Sequence, residues 1–285
     1  MKGAGSGHDG AAPVGTRNLP AAVRALAEFR LMDSAEIMKP AEHIDALEAA
    51  GRVLGDVAAE AGPDAEVRTC PGWRVRDLLR HTSMVHRWAT AFVLEGHTAY
   101  HPDGGEPALD GEELFAHYRE GHALLVAALR AAPADLECWT FLPAPSPLAF
   151  WARRQAHETT IHRTDAESAL PAGLPGAVDP LPAVDGIDEL LRAFHGRSRS
   201  RVRTTEPRTL RVRATDTGDV WTARLSAEAP RTERTGEGVA DCELSGPADR
   251  LLLMLWNRLP ASAVSVTGDA SLVRLWREKS AVTWS

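Results

Sequence analysis

Between Pro40 and Ala169 apolar residues recur at intervals of three and four in four separate stretches, each set off by proline or glycine. That spacing is the signature of helices with one buried face. The first stretch carries Ile44, Leu47, Leu54 and Val57 or Ala58, with Pro40 suited to its first turn. The second follows Pro71-Gly72 and runs through Leu78, His81, Val85, Trp88 and Phe92. The third spans about 110–130 through Leu114, Tyr118, Leu125 and Leu129. The fourth follows a cluster of Pro143, Pro145 and Pro147, and it stops before Pro171 and Gly173. Four such helices can hide their apolar stripes only against one another, so the pattern predicts a bundle.

The pattern changes after that. Residues 171–184 hold Pro171, Pro175, Pro180 and Pro182 and read as a linker. A helix is expected near 185–196. Alternating segments at Thr209–Ala214, Val220–Leu225 and Asp241–Leu244 then read as strands, with a hairpin turn at Asp216-Thr217-Gly218-Asp219. Gly246-Pro247-Ala248-Asp249 opens an apolar helix from Leu251 to Trp256; Val264–Val266 is a short strand, and Ala270–Trp276 a last helix. The expected class is α+β, divided into 39–170 (bundle), 171–184 (linker) and 185–285 (helices on a mostly antiparallel sheet). Residues 1–38 form an extension: Gly, Ala, Ser and Pro dominate 1–18, where no core can form, and 20–32 has the makings of one short helix. Met32 and Met38 lie just before the first strong pattern, so the chain's functional start is expected as late as either of them.

The net charge of −7 argues against a general nucleic-acid-binding role. Cys70, Cys138 and Cys242 are far apart and odd in number, which fits free thiols in a reducing, cytoplasmic setting rather than a disulfide framework. No apolar run is long enough to span a bilayer, and no membrane role is expected. Lysine is scarce (Lys2, Lys39 and Lys279) while arginine abounds, a codon-usage mark of a GC-rich genome. There is no phosphate-binding glycine loop, nucleophile elbow or dinucleotide fingerprint.

The chemistry-bearing residues lie in the second and fourth helices. Glu158 and His162 are four apart and so share a helix face; His81 lies on the apolar stripe of another helix. Singly each has an ordinary reading, His81 as a core histidine and the pair as a solvated face. Together two imidazoles and a carboxylate make a three-ligand metal site with a coordination position left open, as in catalytic zinc sites. Three ligands without thiolates fit a structural zinc site poorly. His86, His101, His117, His122, His157 and His195 lack a partner at metal spacing and read as ordinary residues. Asp165, three beyond His162, reads either as an acceptor fixing a ring tautomer or, preferentially, as a helix-end charge. Cys70 reads as a small buried residue rather than a stabilised thiolate. Arg258, after the apolar helix, is a candidate for gripping an anionic substrate between the domains, with a surface position as the alternative.

These residues resemble the mycothiol-dependent maleylpyruvate isomerase family, a branch of the DinB-like metalloenzymes. The likeness lies in Pro71-Gly72-Trp73, Asp77-Leu78 and His81; in Arg153 through Glu158 and His162 through Ala166; and in Leu244-Ser245-Gly246-Pro247, Leu251–Leu253, Leu255-Trp256-Asn257-Arg258 and Val266–Ala270. It covers about 40–285, and the N-terminal extension departs from it. The resemblance implies a DinB-like four-helix bundle followed by a sterol-carrier-like α/β domain. It implies zinc or another divalent metal at His81, Glu158 and His162, mycothiol as cofactor or co-substrate, and an actinobacterial source. The expected function is cis–trans isomerisation or S-transfer on a small electrophilic carboxylate by a monomer or dimer, with an arginine, Arg258 first, holding the carboxylate. The alternative is a non-catalytic metal- or ligand-binding protein on the same scaffold.

Overall fold

The computed structural model describes residues 37–173 and 175–281. The extension and its expected helix at 20–32 lie outside the described residues. The four helices form as the periodicity predicts: α1 (Pro40–Ala61), α2 (Val75–Glu95), α3 (Gly111–Ala131) and α4 (Pro147–Ser168). Pro40 and Pro147 stand in first turns, where the missing N–H costs nothing. The Ser146 hydroxyl accepts from the Ala149 N–H (3.1 Å) and the Asp77 carboxylate from the Arg74 N–H (2.9 Å), each satisfying a free donor at a helix start. Gly96 ends α2 in the left-handed conformation that glycine adopts without strain.

Helix α1 lies along α4, and α2 along α3. Trp151, fully buried, stacks on Phe92 (ring centres 4.9 Å apart) and meets Trp88 edge-on (5.4 Å). The contact between α1 and α3 is closer still. Gly51 faces the buried His122 ring, whose Nε2 bonds to the Leu47 carbonyl (3.1 Å), and Tyr118 donates to the Gly51 carbonyl (2.9 Å).

The next helix, α5 (Pro180–Asp188), begins within the stretch expected to be linker, because Pro180 suits a first helical turn as well as it suits a linker. It continues into a π-helical turn, Glu189–Phe194. A five-stranded sheet follows: β1 (Arg208–Ala214), β2 (Val220–Leu225), β3 (Arg231–Glu233), β4 (Cys242–Gly246) and β5 (Ser265–Gly268), in the order β3-β2-β1-β4-β5. All neighbours are antiparallel except β1 and β4, which pair in parallel with Val212 opposite Leu244. β3 was not anticipated; three polar residues carry no alternation to read. Helix α6 (Ala248–Leu255) packs on β1, β4 and α5, and α7 (Ser271–Lys279) closes the described chain. No helix among the described residues is long and apolar enough to cross a membrane.

Helix α4 has an unexpected setting. Eighteen of its 22 residues are buried, yet they include Arg154, His157, Glu158, His162, Asp165 and Glu167. A helix buried all round is normally apolar all round.

The Gly51 contact yields a prediction. Glycine to alanine inside a helix ordinarily stabilises by about 0.5–1 kcal/mol. Here the added methyl would overlap the His122 ring. Gly51→Ala should therefore lower unfolding free energy by about 1–3 kcal/mol in urea titrations, the range for overpacking. A stabilised variant would mean that α1 and α3 are not in close contact.

Candidate functional site

His81 comes from the middle of α2, and Glu158 and His162 from successive turns of α4. The structure brings all three together, with one ligand atom from each lying within 4.8 Å of the others. The Glu158 Oε1 atom is 3.1 Å from His162 Nε2 and 3.5 Å from His81 Nε2. Ligand atoms about 2.1 Å from one tetrahedral ion stand about 3.4 Å apart, so this spacing suits a single cation. The other carboxylate oxygen, Oε2, accepts from Arg154 Nη2 (2.9 Å), which leaves Oε1 facing the imidazoles.

His162 is oriented from behind. Its Nδ1 bonds to Asp165 Oδ2 (3.0 Å), which aims Nε2 at Glu158 and His81. Asp165 is fully buried, so the preferred reading of it as a helix-end charge is corrected. It also accepts from the Thr69 hydroxyl (2.6 Å) and, on both oxygens, from Arg258 Nε and Nη2 (2.8 Å each). The Trp73 ring packs over both histidines, its centre 5.2 Å from His81 and 6.3 Å from His162.

The electrostatics follow from this packing. Burial alone would lower the His162 pKa; hydrogen bonds to Asp165 and Glu158 outweigh it and lift the group to about 9. Burial alone would likewise raise Glu158, but the two histidines and Arg154 hold it well below the usual carboxylate range. Without metal the cluster therefore keeps a proton at neutral pH, which a cation has to displace. Cys70 is pushed the other way. Burial and the neighbouring Asp165 raise its thiol to about 12, so it is no thiolate, although Arg258 Nη2 lies 3.6 Å from its sulfur.

Arg258 stands elsewhere than expected. Asn257, in the left-handed conformation (φ 61°), ends the turn after α6 and aims Arg258 at Asp165. Nη1 donates to the Trp256 carbonyl (2.9 Å). With Nε, Nη1 and Nη2 engaged inside the protein, the guanidinium has no free edge for a substrate carboxylate. It reaches the His81–Glu158–His162 cluster through Asp165 and His162.

A second constellation was missed. His43, His157 and Asp185 also place ligand atoms within 4.8 Å of one another, all buried. His157 Nε2 lies 2.7 Å from Asp185 Oδ1, and Arg153 donates to the same oxygen (2.6 Å) and to the Asp185 carbonyl (2.9 Å). A guanidinium already supplies the cation here, and burial presses His43 down to about 3, so it is neutral. This cluster ties α1, α4 and α5 together. Sequence reading set His157 aside because it lies on a different helix face from Glu158; its partner, Asp185, is 28 residues away on a different element. The remaining histidines behave as read: His86 bonds to Thr159 (2.9 Å), His122 to the Leu47 carbonyl and His195 to Ser200 (3.1 Å).

His81 and Glu158 line a cavity of about 1400 Å³. Part of the lining is aromatic, with Trp88, Trp139 and Phe141, and it also includes Phe194, Arg197 and Arg201.

Removing Arg258 would strip the buried Asp165 of its guanidinium and leave its charge to His162 and Thr69 alone. Breaking such a pair typically costs about 3–5 kcal/mol. Arg258→Ala should lose stability on that scale in denaturant unfolding, and an unchanged midpoint would contradict the assignment of Arg258 to Asp165.

Comparison with known proteins gives a consistent picture. The model of the mycothiol maleylpyruvate isomerase N-terminal domain matches residues 44–167, and that of the MDMPI C-terminal domain matches residues 182–274. No curated protein matches. Two solved structures share the fold: the crystal structure of the mycothiol-dependent maleylpyruvate isomerase (TM-score 0.57) and that of a histidine-to-alanine mutant of it (TM-score 0.58). Each is 12% identical, over 81% of this chain and 93% of its own.

Proposed function

Because the chain belongs to the mycothiol-dependent maleylpyruvate isomerase family, we propose that it is a metal- and mycothiol-dependent enzyme, a cis–trans isomerase or thiol S-transferase acting on an electrophile that carries a carboxylate. The metal is zinc or another divalent cation held by His81, Glu158 and His162. The observation that carries this reading is the convergence of those three ligand atoms, spaced for one ion, beside a large cavity.

The residues divide the work. His81, Glu158 and His162 would hold the metal, and with three protein ligands it would have room to bind a thiol. A cation there would lower the thiol's pKa so that thiolate is present at neutral pH. Asp165 and Arg258 fix the His162 ring, Arg154 fixes Glu158, and Trp73 covers the flank of the two histidines. Cys70 stays protonated and provides no nucleophile, so the sulfur comes from a small thiol. Thiolate adds to one carbon of a double bond conjugated to a carbonyl, and the electron pair moves onto the carbonyl oxygen. The bond to the former alkene carbon is now single and rotates. The pair returns, the carbon–sulfur bond breaks, and the isomer leaves with the thiol regenerated. Protonation of the adduct, or departure of another group, gives S-transfer instead.

The test combines metal analysis with turnover. Purified chain should carry one divalent metal and His162→Ala should not, with turnover down by about 100-fold or more, at or beyond the upper end of losses for ligand-supporting residues. Isomer or adduct should form from maleylpyruvate or a generic electrophile only with thiol, and far faster with mycothiol than with glutathione. Thiol-independent hydrolysis, or equal metal in both proteins, would overturn the proposal. No turnover under any condition would favour the metal-binding alternative.

A further inference from the structure

The cavity is larger than one small ligand needs. Pockets for drug-sized molecules run to about 300–1000 Å³, and this one has about 1400 Å³. That leaves room for a thiol and a second molecule of some length. The lining has two chemistries. On one side Trp88 donates its indole N–H to the His101 carbonyl (2.6 Å), so what it offers a ligand is apolar ring surface. It packs against Phe141 (6.2 Å, stacked) and Trp139 (6.2 Å, edge-on), and the exposed Tyr100 meets Trp139 at 5.6 Å. The result is a continuous aromatic wall.

Another part of the lining is cationic. The π-helical turn Glu189–Phe194 displaces the chain at this point, as such turns often do at functional sites. It leads into Arg197, Arg199 and Arg201 at the cavity, with Lys279 beside them. Phe194 is flanked by two guanidiniums, Arg154 and Arg197, each with its carbon 5.0 Å from the ring centre. Neither Arg197 nor Arg201 has an acidic partner among the described residues: Arg197 Nε donates to the Phe194 carbonyl (3.3 Å) and Arg201 to the Ala281 carbonyl (3.3 Å). Burial and the like charges of Arg199 and Arg154 hold Arg197 below the ordinary guanidinium range. Of the acids on the lining, Glu158 belongs to the ligand cluster, and Asp103 accepts from the Gly105 N–H (2.9 Å).

We propose that the electrophile is an extended anion with a flat aromatic body, its rings against Trp88, Tyr100 and Trp139 and its acid group held by Arg197, Arg201 and Lys279. This rests on the proposed function and replaces the expectation of a small carboxylate. Arg154 and Phe194 separate the Arg197 guanidinium from Glu158, so an acid bound at the rim belongs to a molecule long enough to reach past them to the metal cluster.

Binding of inert probes to the full, metal-loaded chain tests this, followed by quenching of tryptophan fluorescence and by calorimetry. 2-Naphthoate should bind about tenfold or more tighter than either 2-naphthamide, which lacks the charge, or maleate, which lacks the rings; that is about 1.4 kcal/mol for each feature. Arg197→Gln and Arg201→Gln should each weaken naphthoate about fivefold, as loss of a charge-assisted contact does, and leave naphthamide within about twofold. Trp139→Leu should weaken both aromatic probes. Maleate binding as tightly as naphthoate, or rim variants with unchanged naphthoate affinity, would overturn the proposal. The probes carry no reactive bond. Such a failure would therefore leave thiol-dependent turnover intact, and a failure of thiol dependence would leave naphthoate affinity unchanged.

Discussion

Two carboxylates on a buried helix, Glu158 and Asp165, set the terms for the rest of the molecule. A carboxylate taken out of water costs several kcal/mol unless cations and donors replace its hydration. Helix α4 cannot supply all of these itself, so they arrive from every side: His81 from α2, Thr69 from the loop before it, Arg258 from beyond α6, and Arg154 and His162 from α4. The bundle and the sheet-bearing half are thereby joined through charge as well as through apolar contact. Arg153 and Arg154 repeat the pattern on the face toward α5, where they meet Asp185 and Glu189. Asp165 would lose its guanidinium partner if the two halves came apart.

The same constraint explains what was legible in the sequence. The four bundle helices could be read because Leu47, Leu78, Leu125 and their neighbours recur at helical spacing, and spacing is a local property. The strand β2 could be read from alternation, and β3 could not, because Arg231–Glu233 has no apolar residue. The pairing of Glu158 with His162 was local too, and α4 brings them to 3.1 Å. What stayed hidden was long-range. Asp165 lies only three residues from His162, but its burial is set by Thr69 and Arg258, 96 and 93 residues away. A polar helix gives no periodic sign that it is enclosed on all sides, and so His157, on another face from Glu158, read as an ordinary residue. Arg258 was correctly singled out as a residue of the interface between the halves, but its partner is an internal carboxylate rather than a ligand. The π-helical turn that presents Phe194 has no sequence signature beyond an ordinary apolar run.

The result is a division between rigid and adaptable parts. Around Glu158 and His162 the supporting bonds are short and internal, from Arg154 and Asp165, the kind of support that holds a ligand shell in place. The cavity beyond is wide, with aromatic and cationic parts to its lining, and its walls come from α2 and α4, from loops and from the π-helical turn and the segment after it. Variation there changes what is bound without disturbing the shell. A likeness of 12% identity to the solved isomerase structures is what such a scaffold allows: the fold persists while most of its surface changes.

The central claim is that two imidazoles and one carboxylate hold a cation with a position open to a thiol. X-ray absorption at the zinc edge on the zinc-loaded chain, with and without mycothiol, measures this directly. The account predicts light-atom ligands alone at about 2.0–2.1 Å in the absence of thiol, with imidazole scattering, and one added sulfur at about 2.3 Å when mycothiol is present. A first shell without imidazole, or one that gains no sulfur at saturating mycothiol, would contradict it.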